Sequence, residues 1–114
     1  MDRIDYLEWP TKDINATKAF FKEVFGWEFT DYGPDYCDFR NDNINGGFYS
    51  SEIVSDYKNG SALVVFYSDQ LEETQERVKN AGGSIAKEIF SFPGGRRFHF
   101  KEPGGNELAV WTDK

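Results

Sequence analysis

The chain holds one histidine and one cysteine among its 114 residues, so any chemistry that uses an imidazole must use His99. An imidazole is the one side chain whose ordinary proton affinity sits near neutrality. Paired with Glu8 or Glu107, His99 would form an acid–base couple, and Glu8 and His99 are the candidate catalytic residues. No Ser, Thr or Cys lies in a setting that would activate it as a nucleophile. Cys37 lies in the stretch Tyr36-Cys37-Asp38, where the acidic neighbour disfavours a thiolate, and a buried structural role is expected for it. A single cysteine forms no intrachain disulfide. In Pro93-Gly94-Gly95-Arg96-Arg97 two arginines follow a glycine turn, but no helix begins there to hold a phosphate, and the stretch reads as a hairpin turn.

These groups must be positioned by elements that the hydrophobic pattern outlines. From Arg3 to Trp9 the residues alternate, with Tyr6 and Glu8 on one face and Leu7 and Trp9 on the other, and Pro10 is expected to end the strand. Asp13 or Asn15 caps a helix running to about Phe25, with Phe20, Phe21 and Val24 on its inner stripe and Gly26 as its left-handed stop. Aromatic strands are expected over about 27–32, 36–40 and 44–49. Gly46-Gly47 marks a close approach of backbones or a bulge.

The second half repeats this order. Ser61–Tyr67 reads as a strand. A helix follows to about Ala81, capped by Asp69 with Glu72 at the capping-box position and lined by Leu71, Thr74 and Val78. Gly82-Gly83 stops it, and strands are expected over about 84–91, 96–101 and 107–111. Gly26 and Gly83 stand 57 residues apart, half the chain length. The reading is an α+β chain built from a duplicated βαβββ module: residues about 1–50, a linker of about 51–60, and residues about 61–114, forming a single domain.

Composition narrows the partners. Thirteen Lys and Arg against 20 Asp and Glu leave a net charge of −7, with no basic run, so a nucleic acid is not an expected partner. The longest apolar run, Ala62–Tyr67, is too short to span a bilayer, and the N-terminus has no apolar core of a leader peptide; no membrane partner and a cytoplasmic location are the expectation. Trp9, Trp27 and Trp111 are candidate anchors for another chain.

The stretches Tyr6-Leu7-Glu8-Trp9-Pro10-Thr11-Lys12-Asp13, Ala19-Phe20-Phe21-Lys22-Glu23-Val24-Phe25-Gly26-Trp27, Val78-Lys79-Asn80-Ala81-Gly82-Gly83 and Glu102-Pro103-Gly104-Gly105-Asn106-Glu107 resemble the vicinal oxygen chelate, or glyoxalase/bleomycin resistance protein/dioxygenase, superfamily. The resemblance implies mixed sheets curved around a shared cleft, a divalent metal in many members, and a homodimer. One scaffold here hosts lyases, dioxygenases and drug-binding proteins, so it implies no single activity. Carried onto this chain, the resemblance puts the metal-ligand positions at Tyr6, Leu63 and Ala109, with the remaining one among Gly46–Tyr49. Tyr, Leu and Ala do not supply the imidazole nitrogen or carboxylate oxygen that a divalent ion takes. The expectation is therefore no metal cofactor and a small apolar or aromatic ligand against Tyr6, Glu8, Leu63, Val65, Tyr67, Arg97, His99, Glu107 and Trp111. The competing reading is a metal-dependent lyase or dioxygenase whose metal has moved to Glu8, His99 and Glu107.

Overall fold

The computed structural model describes all 114 residues. Strand β1 (Tyr6–Thr11), helix α1 (Ile14–Phe25) and strands β2 (Glu28–Asp31), β3 (Tyr36–Arg40) and β4 (Asn45–Ser50) form the first module. A short turn of 3-10 helix, Tyr57–Asn59, lies in the connection. Strand β5 (Val65–Tyr67), helix α2 (Leu71–Asn80) and strands β6 (Ser84–Phe92), β7 (Gly95–Lys101) and β8 (Glu107–Thr112) repeat the plan. The sheets are ordered β1-β4-β3-β2 and β5-β8-β7-β6. In each, the first strand runs parallel to the last and the other pairs are antiparallel. No helix is long and apolar enough to cross a membrane.

Local chemistry sets the first helix. The Asp13 side chain accepts from the Ala16 N–H at 3.0 Å, and Gly26 ends the helix at φ 73°. Phe20, Phe21 and Val24 point inward from α1, joined by Leu71 and Val78 of α2 and by Trp9, Phe39, Phe48, Phe98, Phe100, Leu108 and Val110 of the sheets. Both helices and the inner faces of both sheets thus share one apolar cluster. Cys37 is fully buried in it, as its sequence setting implied. At Gly46 a Cβ would run into the Leu7 carbonyl and the Phe39 ring, so the expected close approach is real.

Four sequence expectations need correction. Strand β1 runs through Pro10 to Thr11; it is an edge strand, where a missing N–H can face away from the ladder. The expected strand Ser61–Tyr67 is regular only over Val65–Tyr67, because the Glu107 N–H at the start of β8 donates to the Ser55 carbonyl of the connection (2.9 Å) and not to residues 61–63. Asp69 does not cap α2. The cap residue is Gln70, which makes no side-chain bond, and Ser68 Oγ instead accepts from the Gln70 N–H at 3.0 Å and meets Thr74 Oγ1 at 2.9 Å. Glu72 is unavailable for a capping box because Arg96 Nη1 donates to it at 2.6 Å. Finally, the left-handed glycine after α2 is Gly82 (φ 97°), so the left-handed glycines that follow the two helices repeat at one residue less than Gly26 and Gly83 suggested.

Candidate functional site

Strand alternation carries the polar residues to the faces turned away from the shared core. On β1, Leu7 and Trp9 go inward and Tyr6 and Glu8 outward. The register sets Glu8 beside Gly47 and Gly47 beside Asp38, with Tyr36 two residues before Asp38 on the same face. Gly47 leaves room for two phenols. The Tyr6 and Tyr36 hydroxyls share a short hydrogen bond, and the Tyr36 hydroxyl donates to Glu8 Oε2 at 3.1 Å. Tyr36 was not singled out from the sequence; only the β3–β4–β1 register brings it there.

This chain of bonds holds the Tyr36 proton. Burial first, then the bonds to Tyr6 and Glu8, push the Tyr36 hydroxyl well above the ordinary tyrosine range. A phenol whose proton affinity is raised by folding contributes stability that is fully present below about pH 10 and is lost as pH rises further. Spectrophotometric titration near 295 nm should therefore leave at least one tyrosine un-ionised until alkaline unfolding. Glu8→Gln should bring that tyrosine toward normal ionisation, and a wild-type curve in which all six tyrosines titrate normally would refute the relay.

On the second sheet, β7 sends Phe98 and Phe100 into the core and Arg97, His99 and Lys101 to the other face. There His99 Nδ1 lies 3.0 Å from Glu107 Oε2. Arg97 has no carboxylate partner: its guanidinium lies over the rings of Phe90 (5.4 Å) and Phe92 (5.8 Å). Trp111 meets Tyr67 edge-on, and the Tyr67 hydroxyl donates to Asp113 at 2.6 Å. Hydrogen bonding to that carboxylate pushes the Tyr67 hydroxyl up.

The expected nine-residue lining therefore divides. Tyr6 and Glu8 form one set with Tyr36. His99 and Glu107 form another, and Arg97, Tyr67 and Trp111 a third among aromatic rings. Leu63 lies outside the regular strand, half-buried. No hydrogen bond, ion pair or ring contact joins the Glu8 set to the His99 set. The relocated metal site at Glu8, His99 and Glu107 is thus not assembled within one chain, and nowhere do three or more His, Cys, Asp or Glu side chains converge as metal ligands. Nor do the family's positions fit an ion. Ala109 is fully buried with only a methyl to offer, Leu63 has no donor atom, and the Tyr6 hydroxyl is engaged by Tyr36.

Two cavities flank these groups. One, of about 440 Å³, opens between β1, the end of α1 and β5, and nine of its 11 lining residues are hydrophobic, among them Trp9, Phe25, Trp27 and Phe66. Val65 and Tyr67 of the expected lining reach it. Trp9 and Trp27 are 4% and 6% exposed, so they are core residues with one edge on this cavity and not anchors for another chain. The other cavity, of about 460 Å³, is polar and lies over His99 and Glu107.

The fold and the sequence agree on the relatives. The sequence profile of the glyoxalase/bleomycin resistance protein/dioxygenase superfamily matches residues 3–110. The chain belongs to this superfamily. No curated protein sequence matches it. Among solved structures, a glyoxalase/bleomycin resistance protein/dioxygenase family enzyme from Burkholderia phytofirmans PsJN superposes with a TM-score of 0.80 at 18% identity, covering 97% of this chain and 100% of that one. A lactoylglutathione lyase from Agrobacterium tumefaciens does so at 0.71 and 17%, covering 98% and 94%. A genomically encoded fosfomycin resistance protein from Listeria monocytogenes, complexed with Mn(II) and a dihydroxypropylphosphonic acid, does so at 0.79 and 19%, covering 97% and 90%. At these identities the likeness is one of fold, and this superfamily member takes its chemistry from its own side chains.

Proposed function

We propose that this superfamily member binds a small apolar or aromatic molecule without a resident metal. The cavity between β1, α1 and β5 carries the reading. Its volume of about 440 Å³ suits a ligand of one or two rings, and its walls are aromatic and aliphatic. Unlike the fosfomycin resistance protein, which binds Mn(II), this chain has Tyr6, Leu63 and Ala109 where the family resemblance puts ligands. A second copy of the chain is the proposed partner. Tyr6, Val65 and Tyr67 are 46%, 40% and 51% exposed, and a dimer that set the outer face of one first module against the outer face of another second module would cover them.

Thermal melts with 1-naphthol, indole and p-cresol should show a saturable rise in Tm for at least one of them. Ile44→Asp, which sets a charge in the half-buried wall, should weaken that compound about tenfold or more. Protein purified without chelators should carry less than about a tenth of an equivalent of transition metal. A stoichiometric metal, or no rise with any of the three compounds, would overturn the proposal.

A further inference from the structure

The polar cavity lies between the Tyr57–Asn59 turn and strands β6–β8, away from the apolar one, and its floor is the His99 ring. His99 is only 2% exposed. A Glu107 carboxylate only accepts, so the 3.0 Å contact places a proton on Nδ1, and in the neutral ring Nε2 is then the acceptor. That Nε2 is buried and has no partner. A buried acceptor without a donor is a standing cost, relieved by any ligand that brings an O–H or N–H. Tyr57 stands edge-on to the imidazole at 5.2 Å and forms the outer wall.

The rim is basic. Lys58, Lys87 and Lys101 border the cavity, and none of them forms an ion pair in the chain. Two carboxylates line the cavity as well: Asp56 accepts from the Lys58 N–H and from Asn59, and Glu107 holds His99. Lys87 Nζ is held 4.4 Å above the Phe90 ring, which keeps its charge at the rim. Three lysines against two carboxylates leave this lining a small positive excess in a chain of net charge −7, and that excess beside an unpaired buried acceptor favours an anion that carries its own donor.

We propose that this cavity is a second ligand site, taking a small carboxylic acid that bears its own hydroxyl group. The carboxylate sits among the lysines and the hydroxyl donates to His99 Nε2. The site is independent of the apolar cavity, so either proposal can fail alone.

His99 is the only histidine, and its ring Cε1–H gives a single resolved signal in a proton–carbon correlation spectrum. Titration with 2-hydroxybutyrate at constant ionic strength should shift that signal saturably. Butyrate, which lacks only the hydroxyl, should bind about tenfold more weakly. The surface substitution Lys87→Ala should weaken 2-hydroxybutyrate about threefold or more without loss of fold. In His99→Gln, followed by calorimetry, the preference for the hydroxy acid should fall. Equal shifts from the two acids, or a shift no larger than an equal concentration of sodium chloride gives, would overturn the assignment.

Discussion

Replacing Glu102 by alanine should cost about 3 kcal/mol or more of unfolding free energy, measured by urea denaturation. Glu102 follows β7, is 2% exposed, and gathers donors from helix α1 and from the turn between β7 and β8. Thr17 Oγ1 of α1 donates to Oε1 at 2.8 Å and the Gly104 N–H at 2.5 Å; Asn106 donates to Oε2 from Nδ2 at 2.8 Å and from its N–H at 3.4 Å. Asn106 Nδ2 also donates to the Pro10 carbonyl at 2.6 Å, and the Lys12 N–H to the Gly104 carbonyl at 3.0 Å. This network joins the two modules. Alanine would leave several buried donors unpaired at once, which is why the effect should exceed that of any single hydrogen bond.

The same residue has a pH signature. Burial pushes the Glu102 carboxyl above the ordinary glutamate range, outweighing the four hydrogen bonds that pull it down. A carboxyl raised by folding contributes stability that is fully present below the unfolded value, about pH 4.3, and is lost as pH rises through the folded value. Glu102→Gln cannot titrate. Wild-type stability relative to Glu102→Gln should therefore decline as pH is raised from about 4 toward neutrality, and a difference independent of pH would rule out this account. A cost below about 1 kcal/mol for Glu102→Ala would show that the network is not what holds the modules together.

Phe21→Ala should be comparably damaging, at about 3–5 kcal/mol. Phe21 is fully buried and its ring meets five others: Trp27 at 4.6 Å, Phe20 at 5.3 Å, Phe48 at 5.5 Å, Phe25 at 6.0 Å and Trp9 at 6.1 Å. Rings on all sides cannot close over the void, so the cavity penalty adds to the lost transfer energy. Phe21→Leu keeps much of the volume and should cost roughly half as much. Trp9, Phe25 and Trp27 also wall the apolar cavity, so Phe21→Leu should weaken a bound aromatic compound even while the protein stays folded. A loss below about 1.5 kcal/mol for the alanine variant would mean that the aromatic cluster repacks freely.

The sequence by itself carried the element order, the duplicated module and the inward or outward aim of each strand residue, because helix and strand periods and a glycine after a helix are local properties. Phe20, Phe21 and Val24 at helical spacing, and Tyr6 and Glu8 opposite Leu7 and Trp9, needed no long-range information. Alternation along β7 was enough to separate Arg97 and His99 from Phe98 and Phe100, but it left both Glu8 and Glu107 open as the partner of His99, and the fold selects Glu107. What lies over each face was decided only by the tertiary structure. The Tyr36 phenol reaches Glu8 through two strand registers, Glu102 meets Thr17 across 85 positions of chain, and the connection lays Tyr57 and Lys58 over His99. The shortened β5 has the same origin, since its missing ladder bond goes to Ser55. Such juxtapositions arise where distant segments converge on one spot, and no periodicity of a single segment records which neighbour will arrive there.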